Sequence, residues 1–250
     1  MLSIGITTFE GRFEKYFKPL LESIVKFAPE IEVIVAVNGE HGKPFSESYR
    51  KDMLTFLSDK PNVYPVFFPE FRGLAKLWNT LLVNSTGNYV LILNDDVQIE
   101  NPLFVNDIVA VLKETKGRTF YINWSWSHFV ACKKEIDALG YFDERLLGIG
   151  EEDGDMTWRY LDAFGFRIPN FDISGFVNYS SDTMQEKPEN ILCHSGTKYS
   201  QFNRDFVYEV KYKKDENGKA GMFDYPMTPQ LVCPQQYPHE RFFQEYKKEL

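Results

Sequence analysis

The chain of 250 residues is poor in several residue types, and each shortage excludes a class of protein. Its three cysteines, Cys132, Cys193 and Cys233, are far apart, so we expect free thiols in a reducing compartment and no disulfide framework. No apolar run approaches the roughly 18 residues of a membrane-spanning helix. Lys and Arg number 28 against 36 Asp and Glu, and the net charge of -8 argues against binding nucleic acid through bulk positive charge.

The first residues, Met1–Ile6, lack a basic segment and have strand character, so no signal peptide is expected. With the free thiols this predicts a cytoplasmic protein, and it leaves open a peripheral contact with the inner face of the membrane. Hydrophobic residues at 43% and charged residues at 26% exclude bulk disorder. Aromatic residues are abundant at 16%, and this excess belongs either to a core or to a surface that stacks on flat ligands.

Strand and helix patterns alternate along the chain, which is typical of an α/β fold built on a mostly parallel sheet. Tyr89–Leu93 is a continuous apolar run, as in a strand that is buried on both faces. From about Asn170 the pattern is irregular and polar. The other predicted strands are Ile4–Thr7, Ile31–Val37, Val63–Phe67, Thr119–Ile122 and His128–Cys132, and the predicted helices are Phe13–Phe27, Gly73–Asn84, Pro102 to about Glu114, Lys133–Leu139 and Asp153–Phe164.

Two adjacent carboxylates, Asp95 and Asp96, follow the apolar strand Tyr89–Leu93. Ligands of open α/β sheets bind at the carboxyl ends of the strands. Two neighbouring acidic groups repel each other unless a positive charge lies between them, and Mg²⁺ or Mn²⁺ favours carboxylates together with substrate phosphates. The residues alone therefore leave two interpretations open, a divalent-cation site or a solvated Asp-Asp turn.

Four more carboxylates, Glu151, Glu152, Asp153 and Asp155, crowd the start of a predicted helix. A helix N-terminus favours negative charge, so the helix dipole alone accounts for part of this cluster. Glu152 and Asp153 lie at the helix entry, where a carboxylate can act as a general base. The four-residue spacing predicts an ion pair between Asp155 and Arg159.

Two ordered segments of the chain resemble the family 2 glycosyltransferases. In the first, Gly73–Asn79 and Gly87–Val97 match a small-residue helix with an Asn, then a Gly, then a strand that ends in a DxD-type acidic motif. In the second, Gly140–Arg159 matches G-x-F-D-E followed by E-D-x-D-x-x-x-R. His194-Ser195 and Asn203–Phe206 resemble the C-terminal part of the family, and the whole similarity extends over roughly residues 2 to 213.

The resemblance implies a GT-A fold, which is a Rossmann-like, mostly parallel sheet flanked by helices with a small acceptor-side subregion. It implies a nucleotide-diphosphate sugar as donor, Mn²⁺ or Mg²⁺ as metal, and inverting transfer to a hydroxyl of a glycan or glycolipid, as in bacterial surface polysaccharide synthesis. We therefore expect a catalytic domain at residues 1–214, with about 1–115 binding the donor and 116–214 facing the acceptor. Residues 215–250 are expected to form an aromatic and proline-rich tail with a terminal helix.

The resemblance also implies roles for single residues. Asp96 is the main metal ligand, either Asp95 or Asn94 fills the second position of the DxD-like motif, and His194 is a further metal ligand. Asp153, beside Glu152, is the base. The positions where the family binds the nucleotide base and ribose are Thr7, Thr8, Glu10 and Asn38. The base itself stays open, because this chain has Val37 where the family often has an Asp that contacts it.

Further candidates come from charge and aromatic character. Because donor and chain are both anionic, Arg72 and Lys76 are expected to offset the diphosphate, unless they only form a solvated helix face. Trp124 and Trp126 alternate around a predicted turn, so a strand register would place them on one face. They are predicted either to stack on a sugar of the acceptor, or to pack in the core or form a hydrophobic lid. Asp155 is assigned to the acceptor side.

Two other functions remain open from the sequence. A metal-dependent nucleotidyltransferase would use the same carboxylates, but it needs a glycine- and basic-rich phosphate loop near the N-terminus. The segment Thr7–Arg12 is a poor version of such a loop. A non-catalytic module that binds a nucleotide sugar or a glycan would bind donor without turnover. No nucleic-acid partner is expected, and the sequence leaves the oligomeric state open.

Overall fold

The structure is a computed structural model, and it describes residues 1–40, 43–179 and 198–212. These residues form two compact units, each built from separate stretches of the chain. The first unit lies within Met1–Phe71, Thr80–Glu135 and 169–179, and the second within Arg72–Asn79, Ile136–Ile168 and 198–212. The predicted tail at 215–250 and the predicted metal ligand His194 lie outside the described residues.

A seven-stranded sheet in the order β3-β2-β1-β4-β7-β6-β8 forms the centre of the first unit, and a two-stranded sheet joins β5 to β9. The pairs β1–β2, β1–β4, β2–β3 and β6–β8 are parallel, whereas β7 is antiparallel to both β4 and β6. The predicted mostly parallel α/β sheet is therefore confirmed. The strands are β1 (Leu2–Phe9), β2 (Val33–Asn38), β3 (Val63–Phe67), β4 (Tyr89–Asn94), β5 (Val97–Ile99), β6 (Phe120–Ile122), β7 (Ser125–Cys132), β8 (Asn170–Phe171) and β9 (Phe176–Asn178).

Burial on both faces explains the composition of the central strands. All six residues of β2 are buried, as are the four central residues of β4. Both strands are continuous apolar runs, the pattern expected of parallel strands that helices cover on both sides. The α-helices are α1 (Lys18–Phe27), α2 (Glu47–Leu57), α3 (Leu74–Asn84), α4 (Phe104–Glu114), α5 (Lys133–Leu139), α6 (Glu152–Phe164) and α7 (Lys198–Asp205).

The helical segment after β1 changes its hydrogen-bond pattern before it becomes α1. A 3₁₀ turn at Glu10–Arg12 is followed by a π-helical turn at Phe13–Phe17, where the Lys18 N–H donates to the Phe13 carbonyl. Pro19 has no N–H to donate to the carbonyl four residues earlier, and its ring crowds that carbonyl. A wider turn ahead of the proline accommodates both effects, so the predicted helix Phe13–Phe27 is an α-helix only from Lys18.

Helix α2 was not among the predicted elements. Its start carries a recognisable signal, because the Ser46 hydroxyl accepts a hydrogen bond from the Tyr49 N–H at 3.1 Å. Tyr49, Met53 and Leu57 follow at four-residue spacing and are buried. The prediction of an irregular chain from about Asn170 was partly wrong, because the short strands β8 and β9 lie there.

The hairpin between β6 and β7 is tighter than predicted. Ile122 pairs with Ser125, so the turn consists of Asn123 and Trp124 alone. Both residues have positive φ, 52° and 59°, as in the two-residue turns that match the twist of antiparallel strands. Trp124 therefore stands in the turn, outside the strand register that was predicted to place it on one face with Trp126.

The second unit has its own small core. Leu146, Trp158 of α6 and three residues near the end of the described chain, Phe206, Val207 and Tyr212, are buried together. The Trp158 and Tyr212 rings meet edge to face with centroids 4.9 Å apart. The segment after α7 is thus an integral part of the unit that carries α6. Among the described residues of both units, no helix is long and apolar enough to cross a membrane.

Candidate active site

Strand pairing brings the predicted donor-side residues of the first unit to one edge of the sheet. In the register, Thr7 is the partner of Asn94, and Phe9 is the partner of Asn38. The Thr7 hydroxyl lies 3.4 Å from Asn94 Oδ1. Because these strands are parallel, their carboxyl ends meet at the same edge, which is where ligands of such sheets bind. The residues assembled there are Thr7, Thr8, Asn38, Asn94, Asp95 and Asp96.

Both carboxylates that follow β4 are almost fully buried, with Asp95 2% and Asp96 4% exposed. A cation from the chain itself neutralises part of their charge. Arg12 Nη1 lies 2.7 Å from Asp95 Oδ1 and 3.3 Å from Asp96 Oδ2. The solvated Asp-Asp turn that the sequence left open is therefore wrong, since these side chains are withdrawn from water.

Three buried polar atoms lie together around Asp95 and make no hydrogen bond of regular geometry among the described residues. They are Asp95 Oδ2, the Thr8 hydroxyl and the Tyr49 hydroxyl. Burial raises the pKa of Tyr49, the charge of Asp95 raises it further, and the Thr8 hydroxyl opposes the rise. Buried polar atoms normally have partners, so this cluster of atoms fits a polar ligand, a cation or bound water. The carboxylate donor set is also the one that Mg²⁺ and Mn²⁺ prefer.

The charge state of Asp95 reflects competing influences. Burial raises its pKa to about 6, the Arg12 guanidinium opposes this rise, and the neighbouring Asp96 adds to it. No group of three or more His, Cys, Asp or Glu side chains within the described ranges could hold a metal by itself. A cation bound here would therefore need water or substrate phosphate to complete its coordination, as Mg²⁺ sites commonly do.

A cleft of about 250 Å³ opens beside Asp95 in the first unit. It lies next to the π-helical turn Phe13–Phe17, and both charged and aromatic side chains line it. The residues that line the cleft are Lys15, Tyr16, Asp95, Val97, Gln98 and Tyr179. Glu10, a predicted donor contact, is exposed in the 3₁₀ turn nearby.

The second cluster of carboxylates lies at the start of α6 in the second unit. Glu151 precedes the helix with φ of 72°, in the left-handed region. Glu152 is buried and accepts a hydrogen bond from the Gly150 N–H at 2.7 Å. Asp153 is half-buried and accepts from the Gly154 N–H at 2.8 Å. The helix entry therefore presents Asp153 toward solvent and keeps Glu152 inside.

Burial changes the pKa of both carboxyl groups. It raises the pKa of Glu152 to about 8, and the charge of Asp153 contributes to that rise. Burial also raises the pKa of Asp153, while the Gly154 N–H opposes it. Burial therefore favours the protonated form of Glu152, and the two neighbouring carboxyl groups titrate as a pair. Between the two, Asp153 is the better candidate for accepting a proton from a ligand hydroxyl.

Asp155 belongs to a buried charge network. It is fully buried, and its Oδ2 lies 2.9 Å from Arg159, which confirms the predicted ion pair. Its Oδ1 lies 2.6 Å from Lys211 Nζ and accepts a hydrogen bond from the Tyr212 hydroxyl at 2.7 Å. Lys211 also lies 2.6 Å from Asp143 Oδ2. These contacts give Asp155 a structural part in the second unit, and they occupy both of its oxygens.

Residues from both segments that resemble the family meet within the second unit. Asn79 of α3 donates to the Phe142 carbonyl at 2.9 Å and to Glu144 Oε1 at 3.1 Å, and its Oδ1 accepts from the Phe142 N–H. Lys76 lies 3.3 Å from Glu144 Oε2. The donor-side role predicted for Lys76 and for the half-buried Arg72 stays a prediction, as both belong to the second unit.

An asparagine of α7 holds the loop that leads into α6. Asn203 is fully buried, and its Oδ1 accepts from the Leu147 N–H at 2.7 Å. Its Nδ2 donates to the Leu147 and Gly150 carbonyls at 2.7 and 2.9 Å. The C-terminal segment that resembled the family therefore shapes the entry of α6, where Glu152 and Asp153 lie.

The two tryptophans of the aromatic turn differ in their surroundings. Trp124 is 80% exposed. Trp126 packs edge to face on Tyr121 and Phe129, with ring centroids 4.9 and 4.7 Å away. Trp126 therefore packs against neighbouring aromatic rings, which is one of the two predicted alternatives. Trp124 is exposed and available to stack on a ligand.

Arg12, Tyr49 and Lys211 are parts of these sites that the sequence did not point to. The side chain of Arg12 reaches Asp95 across 83 positions of the chain, and Lys211 reaches Asp143 across 68. Spacing rules address neighbours within a helix or strand, so they give no signal for such contacts. Tyr49 had an indirect signal, since recognising helix α2 would have made it a residue of the buried face.

Comparison with known proteins assigns the chain to a recognised group. The sequence model of Glycosyl transferase family 2 matches residues 3–164, which include both acidic clusters. Comparison with curated protein sequences gives no match.

Solved structures similar to this chain include S. aureus TarS 1-349 in complex with UDP, at 20% identity and a TM-score of 0.55. The alignment covers 70% of this chain but 59% of TarS, so the chain spans about three fifths of that structure. Glucosyl-3-phosphoglycerate synthase from Mycobacterium tuberculosis, in complex with Mn²⁺, UDP and phosphoglyceric acid, is 14% identical with a TM-score of 0.54, covering 74% of this chain and 73% of that one. Mannosyltransferase PcManGT from Pyrobaculum calidifontis, in complex with GDP-Man and Mn²⁺, is 14% identical with a TM-score of 0.53, covering 68% and 54%. At these identities the likeness establishes the GT-A fold.

Proposed function

Since the chain belongs to glycosyl transferase family 2, we propose that it transfers a sugar from a nucleotide-diphosphate sugar to a hydroxyl of a glycan or glycolipid. One observation carries the proposal. The acidic pair Asp95–Asp96 lies buried at the carboxyl edge of the central sheet, beside the polar ends of β1 and β2, within the segment that matches the family. That edge is where α/β sheets bind their ligands.

The donor is assigned to the first unit. Thr7, Thr8 and Asn38 offer hydroxyl and amide groups for the nucleoside, and Asn94 continues this polar edge toward the acidic pair. Because the similar structures contain UDP in two cases and GDP-Man in another, they favour no single base for this chain. We therefore propose a pyrimidine or purine nucleoside diphosphate sugar and leave the choice of base to a donor screen.

A divalent cation is assigned to Asp96 and Asp95. The support is the carboxylate donor set, the Asp95 oxygen without a hydrogen-bond partner among the described residues, and the Mn²⁺ found with two of the similar structures. When bound, such a cation supplies stabilisation of the negative charge that develops on the departing diphosphate. Asp95 and Asp96 follow directly after strand β4, and both side chains are buried there.

Asp153 is proposed as the general base of an inverting transfer. The acceptor hydroxyl gives its proton to the Asp153 carboxylate while its oxygen attacks the anomeric carbon from the face opposite the diphosphate, whose bond to that carbon breaks. The raised pKa of Asp153 makes it a stronger base than an ordinary aspartate. Burial favours the protonated form of Glu152, and this residue is proposed to support the position and charge of Asp153.

The acceptor is proposed to use Trp124, whose exposed ring can stack on the C–H face of a sugar. A glycan or glycolipid of the cell surface fits this assignment, and a peripheral contact with the cytoplasmic face of the membrane would bring the chain to a lipid-linked acceptor. Asp155, which the sequence assigned to the acceptor, is proposed to act indirectly by holding Lys211 and Tyr212 against α6.

A donor screen followed by a turnover assay tests this function. Thermal unfolding with Mn²⁺ and each of several nucleotide sugars identifies the donor, because a ligand that binds the native state raises the melting temperature. We expect one donor to raise it and to be consumed with Mn²⁺ but not with excess EDTA. Pyrophosphate release from a nucleoside triphosphate would favour a nucleotidyltransferase instead. Donor binding without hydrolysis or transfer to any acceptor would favour a binding module.

A further inference from the structure

The guanidinium of Arg12 contacts both members of the acidic pair. Its Nη1 contacts one oxygen of each carboxylate, at 2.7 Å from Asp95 Oδ1 and 3.3 Å from Asp96 Oδ2. Such charge-assisted contacts between buried carboxylates and a guanidinium are among the stronger hydrogen bonds in proteins. The acidic pair is therefore already partly neutralised by the chain.

Aromatic rings hold the guanidinium without enclosing it. The Arg12 carbon Cζ lies 5.3 Å from the Phe9 ring centroid and 5.8 Å from the Tyr16 ring centroid, within the range of cation–π attraction. The side chain is 22% exposed, whereas those of Asp95 and Asp96 are 2% and 5% exposed. The arginine side chain thus reaches solvent in part, whereas both carboxylates are buried.

The positive charge of Arg12 disfavours a divalent cation at the same acidic pair. Two carboxylates with one guanidinium carry a net charge of about -1, and adding a divalent ion with Arg12 in place reverses this to about +1 in a buried site. Like charges at short range disfavour each other strongly where little water screens them. The Arg12 contacts use Asp95 Oδ1 and Asp96 Oδ2, so an ion at Asp95 Oδ2 would lie close to the guanidinium charge.

We propose that the charge of Arg12 opposes the binding of a divalent cation to Asp95 and Asp96. In this arrangement the arginine stabilises the acidic pair in the absence of metal, and the cation has to overcome the repulsion of the guanidinium to bind. The inference rests on the cation site assigned under the proposed function. It adds that a residue of the chain sets how tightly that site binds metal.

The test measures Mn²⁺ binding to the full chain by isothermal titration calorimetry, with no nucleotide present. Arg12→Gln removes the competing charge, and we expect it to bind Mn²⁺ about tenfold more tightly than the unchanged chain. Lys18→Gln is the matched control, because Lys18 loses the same charge from the same helical segment but pairs with Glu14. The control is expected to change the dissociation constant by less than about twofold.

Arg12→Lys and thermal unfolding provide a second measurement. Lysine keeps the charge but has a single ammonium in place of the guanidinium. The Mn²⁺ affinity of Arg12→Lys should therefore lie between those of Arg12→Gln and the unchanged chain. Without metal, Arg12→Gln should melt at a lower temperature, and saturating Mn²⁺ should raise its melting temperature by more than in the unchanged chain.

Equal or weaker Mn²⁺ binding by Arg12→Gln, beside an unchanged chain that does bind Mn²⁺, overturns the inference and leaves the proposed transfer intact. Absence of Mn²⁺ binding in both chains overturns the inference together with the cation site itself. Loss of sugar transfer would be seen separately in the donor assay, so the two failures are distinguishable.

Discussion

Lys211 and Asp155 form a fully buried ion pair, with Lys211 Nζ 2.6 Å from Asp155 Oδ1 and neither side chain exposed. Asp155 lies in the first turn of α6, and Lys211 lies 56 positions later, beyond α7. The same ammonium contacts Asp143 at 2.6 Å, and Arg145 and Arg159 complete the network at 2.7 and 2.9 Å. The pair thereby fastens the end of the described chain to the helix that begins at Glu152.

Replacing the buried lysine should destabilise the second unit strongly. Lys211→Met keeps most of the side-chain volume but leaves Asp143 and Asp155 without their shared partner in a buried place. Removing one member of a buried ion pair costs about 3 kcal/mol or more, and this figure is the loss in free energy of unfolding that we expect. Urea unfolding measures it. Lys18→Met, which removes an exposed ion pair with Glu14, should change stability by less than about 0.5 kcal/mol, and a similarly small loss for Lys211→Met would contradict the assigned network.

The buried Glu152 should make stability fall as the pH rises. Its pKa is raised to about 8 in the folded chain, above the value near 4.3 of an unfolded glutamate, so the folded state holds a proton that the unfolded state has lost between these values. Glu152→Gln abolishes this difference. We expect the variant to gain stability relative to the unchanged chain as the pH goes from 5 to 8, measured by urea unfolding at both values. A difference in stability between the two chains that stays constant from pH 5 to 8 would exclude Glu152 as the source of the trend.

The buried His128 has the opposite pH dependence. It stacks on Phe176 with ring centroids 5.6 Å apart, and neither ring nitrogen has a hydrogen-bond partner among the described residues. Burial lowers its pKa to about 4, below the unfolded value near 6.5, so its contribution to stability is lost as the pH falls through that window. The loss between pH 7 and 5 should be about 2 kcal/mol. His128→Phe should remove that part of the slope, and an unchanged difference between the two pH values would exclude His128 as its source.

The two tryptophans should separate acceptor binding from stability. Trp124→Ala removes an exposed ring, so the melting temperature should hardly change while the KM for the acceptor rises several-fold. Trp126→Ala removes packing on Tyr121 and Phe129 and should cost about 2 kcal/mol in unfolding free energy. An unchanged acceptor KM in Trp124→Ala would show that the ring does not contact the acceptor.

Much of the fold could be predicted from local patterns. The apolar runs of β2 and β4 and the helical spacing in α1, α3, α4 and α6 indicated an α/β sheet, because burial on one or two faces leaves a period in the sequence. Helix α2 was missed although Ser46 begins it with a regular cap. The antiparallel position of β7 between β4 and β6 could not be predicted, since strand order depends on contacts between distant residues.

The candidate site was predictable only where its contacts are local in the sequence. Asp95 and Asp96 were recognisable as adjacent charges after a buried strand. The Asp155–Arg159 pair was predictable from helical geometry. Arg12 and Lys211 did not, because each meets its carboxylates only through the tertiary fold. The pKa values of Glu152 and Asp153 also depend on burial, which the neighbouring residues in the sequence do not reveal.

The most direct test of the proposed chemistry is the rate of sugar transfer by Asp153→Asn, measured with the identified donor and saturating Mn²⁺ alongside the affinity for that donor. Asparagine cannot accept the proton of the acceptor hydroxyl, so we expect transfer to fall at least about hundredfold while donor affinity stays within about threefold. Glu152→Gln, which replaces a buried carboxyl group whose protonated form is favoured, should keep most of the rate. Transfer by Asp153→Asn within a few-fold of the unchanged chain would contradict the assignment of Asp153 as the base.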